Sequence, residues 1–144
     1  MIEIRQIESK NDFENAIALQ LDVFSGEQGI SRSDCLAGND TALHIVAIEG
    51  DLAVGTARIT IRHNRTADLA RIAVSPAYRD RGLGRRLVQK LEEIARTEGI
   101  TELELQPHQF LENFYSGLGY SRLGGATKRV GDYDLITMTK SLES

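Results

Sequence analysis

One cysteine, two prolines and three histidines are all that this 144-residue chain has of those types. A lone cysteine, Cys35, excludes an intrachain disulfide and a cysteine-rich metal site. His44, His63 and His108 are too far apart to show metal-ligand spacing, so no metal is expected. Pro76 and Pro107 fall at a turn and at the end of a strand-like run. No apolar run nears eighteen residues, so nothing reads as a membrane span. Met1-Ile2-Glu3-Ile4-Arg5 has no signal-peptide pattern, and a cytoplasmic location is the expectation. Seventeen basic residues face twenty-one acidic ones, for a net charge of −4, which does not favour a nucleic-acid partner.

The remaining composition, 41% hydrophobic and 26% charged, is that of an ordinary globular protein. The length fits a single domain over 1–144 and a sizeable core. Alternation at Ile2 and Ile4 predicts a first strand. Ser9 or Asn11 can cap a helix whose apolar face is Phe13, Ile17, Leu21 and Phe24, stopping near Ser25-Gly26. Residues 26–41 read as a long loop. Strands are expected over 42–49 and 52–63, forming a hairpin, with Gly55 marking a bulge. A further strand is expected at 68–74. A helix follows over 82–98, with Gly99 as its stop and Leu83, Leu87, Leu91, Ile94 and Ala95 on its face. A strand at 101–106, a short helix through Phe110, Leu111, Phe114, Tyr115 and Leu118, and strands near 120–124 and 133–139 around a turn at 124–132 complete a mixed α/β order.

The chemistry centres on Arg79-Asp80-Arg81-Gly82-Leu83-Gly84, which lies between a strand and a helix. Glycine permits φ > 0 and leaves room for a ligand. The first amides of a helix lack intrahelical partners and sit at its positive end, where a pyrophosphate fits. Arg79, Arg81, Arg85 and Arg86 surround this place with charge. Leu87 occupies the third glycine position of a dinucleotide fingerprint, and the Gly-Lys-Ser/Thr of a P-loop is missing.

The hexapeptide instead resembles the R/Q-x-x-G-x-G/A signature of the GCN5-related N-acetyltransferases, with Arg79, Gly82 and Gly84 at the fixed positions. Val23-Phe24-Ser25-Gly26-Glu27-Gln28 resembles the Val-Phe-x-x-Glu-Gln of a subgroup that includes the ElaA-type proteins. Arg71-Ile72-Ala73-Val74 is similar to the family's central strand, and Asn113-Phe114-Tyr115-x-x-Leu-Gly-Tyr to its Phe-Tyr helix. His108 stands where the subgroup usually has Gln, seven residues before the tyrosine.

The resemblance implies the acyl-CoA N-acyltransferase fold, an α/β (α+β) domain with a mixed, mostly antiparallel central sheet flanked by helices. Many members also carry a second helix near 30–40. It further implies acetyl-CoA as co-substrate and a small-molecule or peptide amine as acceptor; a homodimer is compatible. The pyrophosphate would lie on Arg79, Asp80, Arg81, Gly82, Leu83, Gly84 and Arg85, with Asn113 nearby, and the pantetheine arm on the backbone of Ile72, Ala73 and Val74. Gln28, Arg71 and His108 would meet the acceptor, although Arg71 also fits a solvated strand position.

Transfer requires a neutral amine, whose pKa is about 10 when protonated, and a proton or positive field for the departing thiolate. Tyr115 is the candidate acid, with core packing as its other reading. Glu27 is the preferred base, with an exposed surface role, Asp68 or a water relay as alternatives. Cys35 has no local cationic partner, and no serine is paired with a histidine at informative spacing, so direct transfer in a ternary complex is expected over an acyl-enzyme. A non-catalytic CoA-binding or protein-interaction module on the same fold is the alternative.

Overall fold

A computed structural model describes residues 1–130 and 132–142. The strands are β1 (Ile2–Gln6), β2 (Leu43–Glu49), β3 (Leu52–Ile61), β4 (Thr66–Val74), β5 (Glu102–Leu105), β6 (Ser121–Arg122), β7 (Lys128–Val130), β8 (Tyr133–Leu135) and β9 (Met138–Ser141). The helices are α1 (Lys10–Gln20), α2 (Arg32–Leu36), α3 (Leu83–Thr97) and α4 (Glu112–Ser116). Seven strands form one sheet in the order β1-β2-β3-β4-β5-β9-β6, in which only β4 and β5 run parallel. That pair is joined through α3, because parallel neighbours need a crossover. The domain is therefore mixed α/β with a mostly antiparallel sheet.

Helix α3 lays Leu83, Leu87, Val88, Leu91 and Ala95 against Ile45, Val54, Ala57, Leu69 and Leu103. A second cluster joins Leu19 and Val23 to Ala73. Ile72 and Val74 pack with the first cluster and Ala73 with the second, so alternation along β4 assigns α3 and α1 to opposite faces. Gly55 accommodates α3. The β2–β3 register shifts between Ala47 and Ile48, opposite Gly55, as expected of a bulge. A Cβ on Gly55 would lie 3.1 Å from Leu87 Cδ1 and 3.3 Å from Leu83 Cδ2. Within α3, buried Glu92 accepts from Tyr120 Oη at 2.7 Å and from Lys140 Nζ at 3.1 Å. This fastens the end of the sheet to the helix.

Several expectations need correction. Ser9 caps α1, accepting from Asp12 N at 3.1 Å. The buried face of α1 is Asp12, Ala16, Leu19 and Gln20, so the face predicted from Phe13 and Ile17 is rotated to its half-buried edge. The helix does not stop at Ser25-Gly26 but continues as a π turn over Leu21–Glu27. Residues 26–41 are not one loop. They hold α2, capped by Ser31, and a 3-10 turn over Asn39–Thr41. A five-residue helix burying only Cys35 has too few turns to show periodicity. The predicted strand at 133–139 divides into β8 and β9, and β7 occupies part of the predicted turn. Gly131 of that turn and residues 143–144 lie outside the described residues.

Gly55→Ala should destabilise the fold by about 1–3 kcal/mol through overpacking against Leu87 and Leu83. Urea unfolding measures this, and an unchanged midpoint would contradict so close an approach of α3.

Candidate active site

The β4–β5 pairing ends at Leu69 and Leu105. On the other side, Thr56 and Arg58 of β3 face Ala73 and Ala70 of β4, two steps against three, which defines a bulge in β4. Arg71 lies within it at φ 53°. Beyond Leu69 the two central strands separate, and a groove of about 790 Å³ opens between them. Its walls include Leu69 to Ile72 of β4, Glu104 and Leu105 at the last pairs of β5, Gln106 to His108 after the divergence, Tyr115, and parts of the segment 24–41.

The 79–84 loop lies outside the lining of this groove. Asp80 and Gly82 have positive φ, 63° and 77°, and bring the chain into α3 without a side-chain cap. A Cβ on Gly82 would meet nothing within 4 Å, and one on Gly84 would meet only Phe114 Cζ, at 3.6 Å. The helix start thus presents uncapped amides under open space, which suits a pyrophosphate. Leu83 is buried, so only its backbone can serve a ligand there. Arg81 lies 5.1 Å over the Tyr78 ring, Arg85 is exposed, and Arg86 turns away to donate to Ile2 O at 3.2 Å.

Arg79 links the loop to its surroundings. It donates to Val74 O at 3.0 Å through Nε, and to both Glu27 oxygens at 3.0 and 2.9 Å through Nη2. Glu27 is therefore held at the 79–84 loop, and its neighbour Gln28 lines the groove with Oε1 buried and unpaired.

Tyr115 is 5% exposed, and its ring packs edge-on against Phe114 and Tyr120. Burial pushes its hydroxyl well above the ordinary phenol range. Asn113 is exposed on the same helix. His108 is buried and stacks on Tyr133 at 4.5 Å; burial lowers its pKa and favours the neutral ring at pH 7. Asp68 lines the groove 3.0 Å from Arg62, and burial raises its pKa. Arg71 also faces the groove. It donates to Cys35 O at 2.9 Å and Asp34 O at 2.8 Å, and covers the Phe24 ring at 5.7 Å.

Sequence reasoning missed Arg58. It lies in phase with Thr56 and Thr60 on β3, a polar stripe that reads as a solvated face. It is nevertheless buried, donating to Ala37 O and Asn39 Oδ1 at 2.7 Å each. Asn39 in turn donates to Gln20 Oε1 at 3.0 Å, and its carbonyl bonds His44 Nε2 at 2.9 Å. No local pattern signals such a network, because its members are up to 38 positions apart.

The acetyltransferase (GNAT) family model matches residues 4–120. YyaT of Bacillus subtilis is 34% identical over 123 residues, which are 83% of this chain and 82% of that protein. The structure of Escherichia coli ElaA superimposes with a TM-score of 0.87 at 24% identity, covering 97% of this chain and 99% of ElaA. PaiA N-acetyltransferase of Thermoplasma acidophilum, crystallised with coenzyme A, superimposes at 0.76 with 21% identity over 98% and 99% of the chains. This chain belongs to the GNAT acetyltransferase family, as its signature hexapeptide and central strand led one to expect.

Cys35 is fully buried, and burial raises its thiol pKa although Arg71, Arg58 and Arg32 act in the opposite direction. A raised pKa leaves less thiolate at pH 8. Ellman's reagent should label the native thiol at least about 10²-fold more slowly than the urea-unfolded one. Comparable rates would return Cys35 to consideration as a nucleophile.

Proposed function

We propose that the chain is a single acetyltransferase domain over 1–144 that moves an acetyl group from acetyl-CoA to a primary amine by direct transfer. The observation that carries this reading is the parting of β4 from β5 beside Tyr115, with the open helix start at Gly82 to one side. Acetyl-CoA, when bound, supplies the acetyl group as an activated thioester. The α3 amides from Leu83 onward, with Arg79, Asp80, Arg81, Gly82, Gly84, Arg85 and Asn113, form the proposed pyrophosphate end. The backbone of Ile72, Ala73 and Val74 takes the pantetheine arm, and one of its amides polarises the thioester carbonyl. Gln28, Arg71 and His108 face the acceptor.

Tyr115 serves the leaving thiolate. A thiol has a pKa of about 8.5, below that of even an ordinary tyrosine. The buried hydroxyl is a weaker acid still. Its contribution is therefore largely a hydrogen bond to developing charge, and complete proton transfer follows as solvent returns. Glu27 is the proposed base once Arg79 turns from it to the phosphates, and Asp68 is the rival within the groove. A binding module without turnover would need neither the Tyr115 hydroxyl nor a carboxylate.

Two measurements test this reading. Gly84→Val has room for its Cβ, which would lie 3.6 Å from Phe114 Cζ, while its two methyl groups crowd the phosphate approach that the Gly or Ala of the signature leaves open. It should stay folded yet weaken CoA binding at least about tenfold by calorimetry. Unchanged affinity in the folded variant would remove the pyrophosphate assignment. Tyr115→Phe keeps the ring packing and should lower kcat about 10²-fold with little change in acetyl-CoA affinity, on a background of intersecting double-reciprocal lines. A full-rate Phe enzyme with chemistry limiting would exclude the hydroxyl.

A further inference from the structure

Two guanidinium groups, Arg58 and Arg71, line the groove at the end bounded by α2 and the 37–39 turn. Neither pairs with a carboxylate among the described residues. Their protein partners are a side-chain amide oxygen, a ring face and backbone carbonyls at the end of α2, which carry only partial charge. The arginines also face each other's charge. Arg58, 8% exposed, has its pKa lowered to about 10 by burial first and by Arg71 second. Its Nε is buried without a partner. Arg71 uses Nε and Nη2, leaving Nη1 without a hydrogen-bond partner among the described residues.

Leaving buried charge uncompensated is costly, and neutral donors would tie down the same carbonyls. The groove's carboxylates do not explain the arrangement. Arg62 lies 3.0 Å from Asp68 and 3.8 Å from Glu104, and Asp34 is exposed and contacts Arg71 through its backbone. Gln28 Oε1, buried in the same lining, is an acceptor without a donor.

We infer that the acceptor amine carries an anionic oxygen group, a carboxylate or a phosphate, that seats against Arg71 and Arg58 while Gln28 faces its nitrogen. Forked guanidinium donors match either group in a bidentate manner. This substrate class rests on the acetyl-transfer reading of the groove, and its test has a branch that needs no turnover.

In the first branch, Arg Nε–Hε resonances of the CoA-loaded protein are followed on adding N-acetyl-β-alanine or its neutral amide. The acid should shift Arg58 and Arg71 signals selectively, and Arg71→Gln should abolish the response in a protein whose amide spectrum stays dispersed. Arg58→Lys is the second variant, since Arg58 also fastens the 37–39 turn. In the second branch, thiol release compares β-alanine with β-alaninamide, and phosphoethanolamine with ethanolamine. The charged member of at least one pair should win by about tenfold or more in kcat/KM, and Arg71→Gln should bring that ratio towards one. The winning pair identifies carboxylate or phosphate. Acid-selective shifts without turnover of any amine would uphold the anion site while removing the acetyl-transfer reading. Equal responses to charged and neutral members in both branches would overturn the anion site, and turnover of both would leave acetyl transfer standing.

Discussion

Everything at the site depends on where β4 stops pairing with β5. Four residue pairs, from Thr66↔Glu102 to Leu69↔Leu105, hold the strands in parallel, and then the bulge at Arg71 turns β4 aside. A parallel pair inside a largely antiparallel sheet is suited to this. It is joined by a helix rather than a tight turn, so its two ends can separate without breaking a hairpin. The left-handed backbone of Arg71 costs about 1–2 kcal/mol for a residue with a Cβ. Hydrogen bonds from a charged donor contribute about 1.5–3 kcal/mol each. Arg71 makes two to carbonyls, at 2.8 and 2.9 Å, and lies over Phe24 as well. The contacts are of a size to offset the strain even after allowance for their partial exposure. The bulge that opens the groove and the arginine that lines it are thus one feature.

The wall opposite β4 has a similar economy. Helix α2 is too short to be stable by itself. It is held by side chains in addition to its own hydrogen bonds. Arg71 reaches Asp34 and Cys35, Arg58 reaches Ala37 and Asn39, and Gln20 links Asn39 back to α1. One polar network therefore sets both the position of the wall and the charge facing the groove. Removing any member alters both together, which is why charge-selective ligands separate the roles better than deletion does.

The legible parts of the sequence were those written in local patterns. The amphipathic face of α3, the Gly99 stop, the hairpin of β2 and β3 and the bulge at Gly55 follow from spacing and backbone freedom, and the structure has all of them. The hexapeptide could be read because Gly82 occupies a backbone path that few other residues tolerate, at φ 77°. What escaped notice depends on long-range contact. Arg58 looks solvated on its strand because the covering turn is about twenty residues away in the chain. Glu92 looks like a surface residue of α3 until Tyr120 and Lys140 arrive from the far end of the sequence. Helix α2 and the strands β7 and β8 are too short to show a period.

The ion pair between Arg79 and Glu27 joins two regions that sequence reasoning treated as independent. Both side chains are substantially exposed, at 40% and 36%, so the bond contributes at most about 1 kcal/mol. A contact that weak does not lock the site. It does keep a carboxylate oriented at the foot of the π turn, next to Gln28 in the groove lining. A pyrophosphate on the α3 amides would compete for the same guanidinium with more charge and better hydrogen-bond geometry. In the proposed mechanism, cofactor binding therefore draws Arg79 away and frees both Glu27 oxygens to accept from the incoming amine.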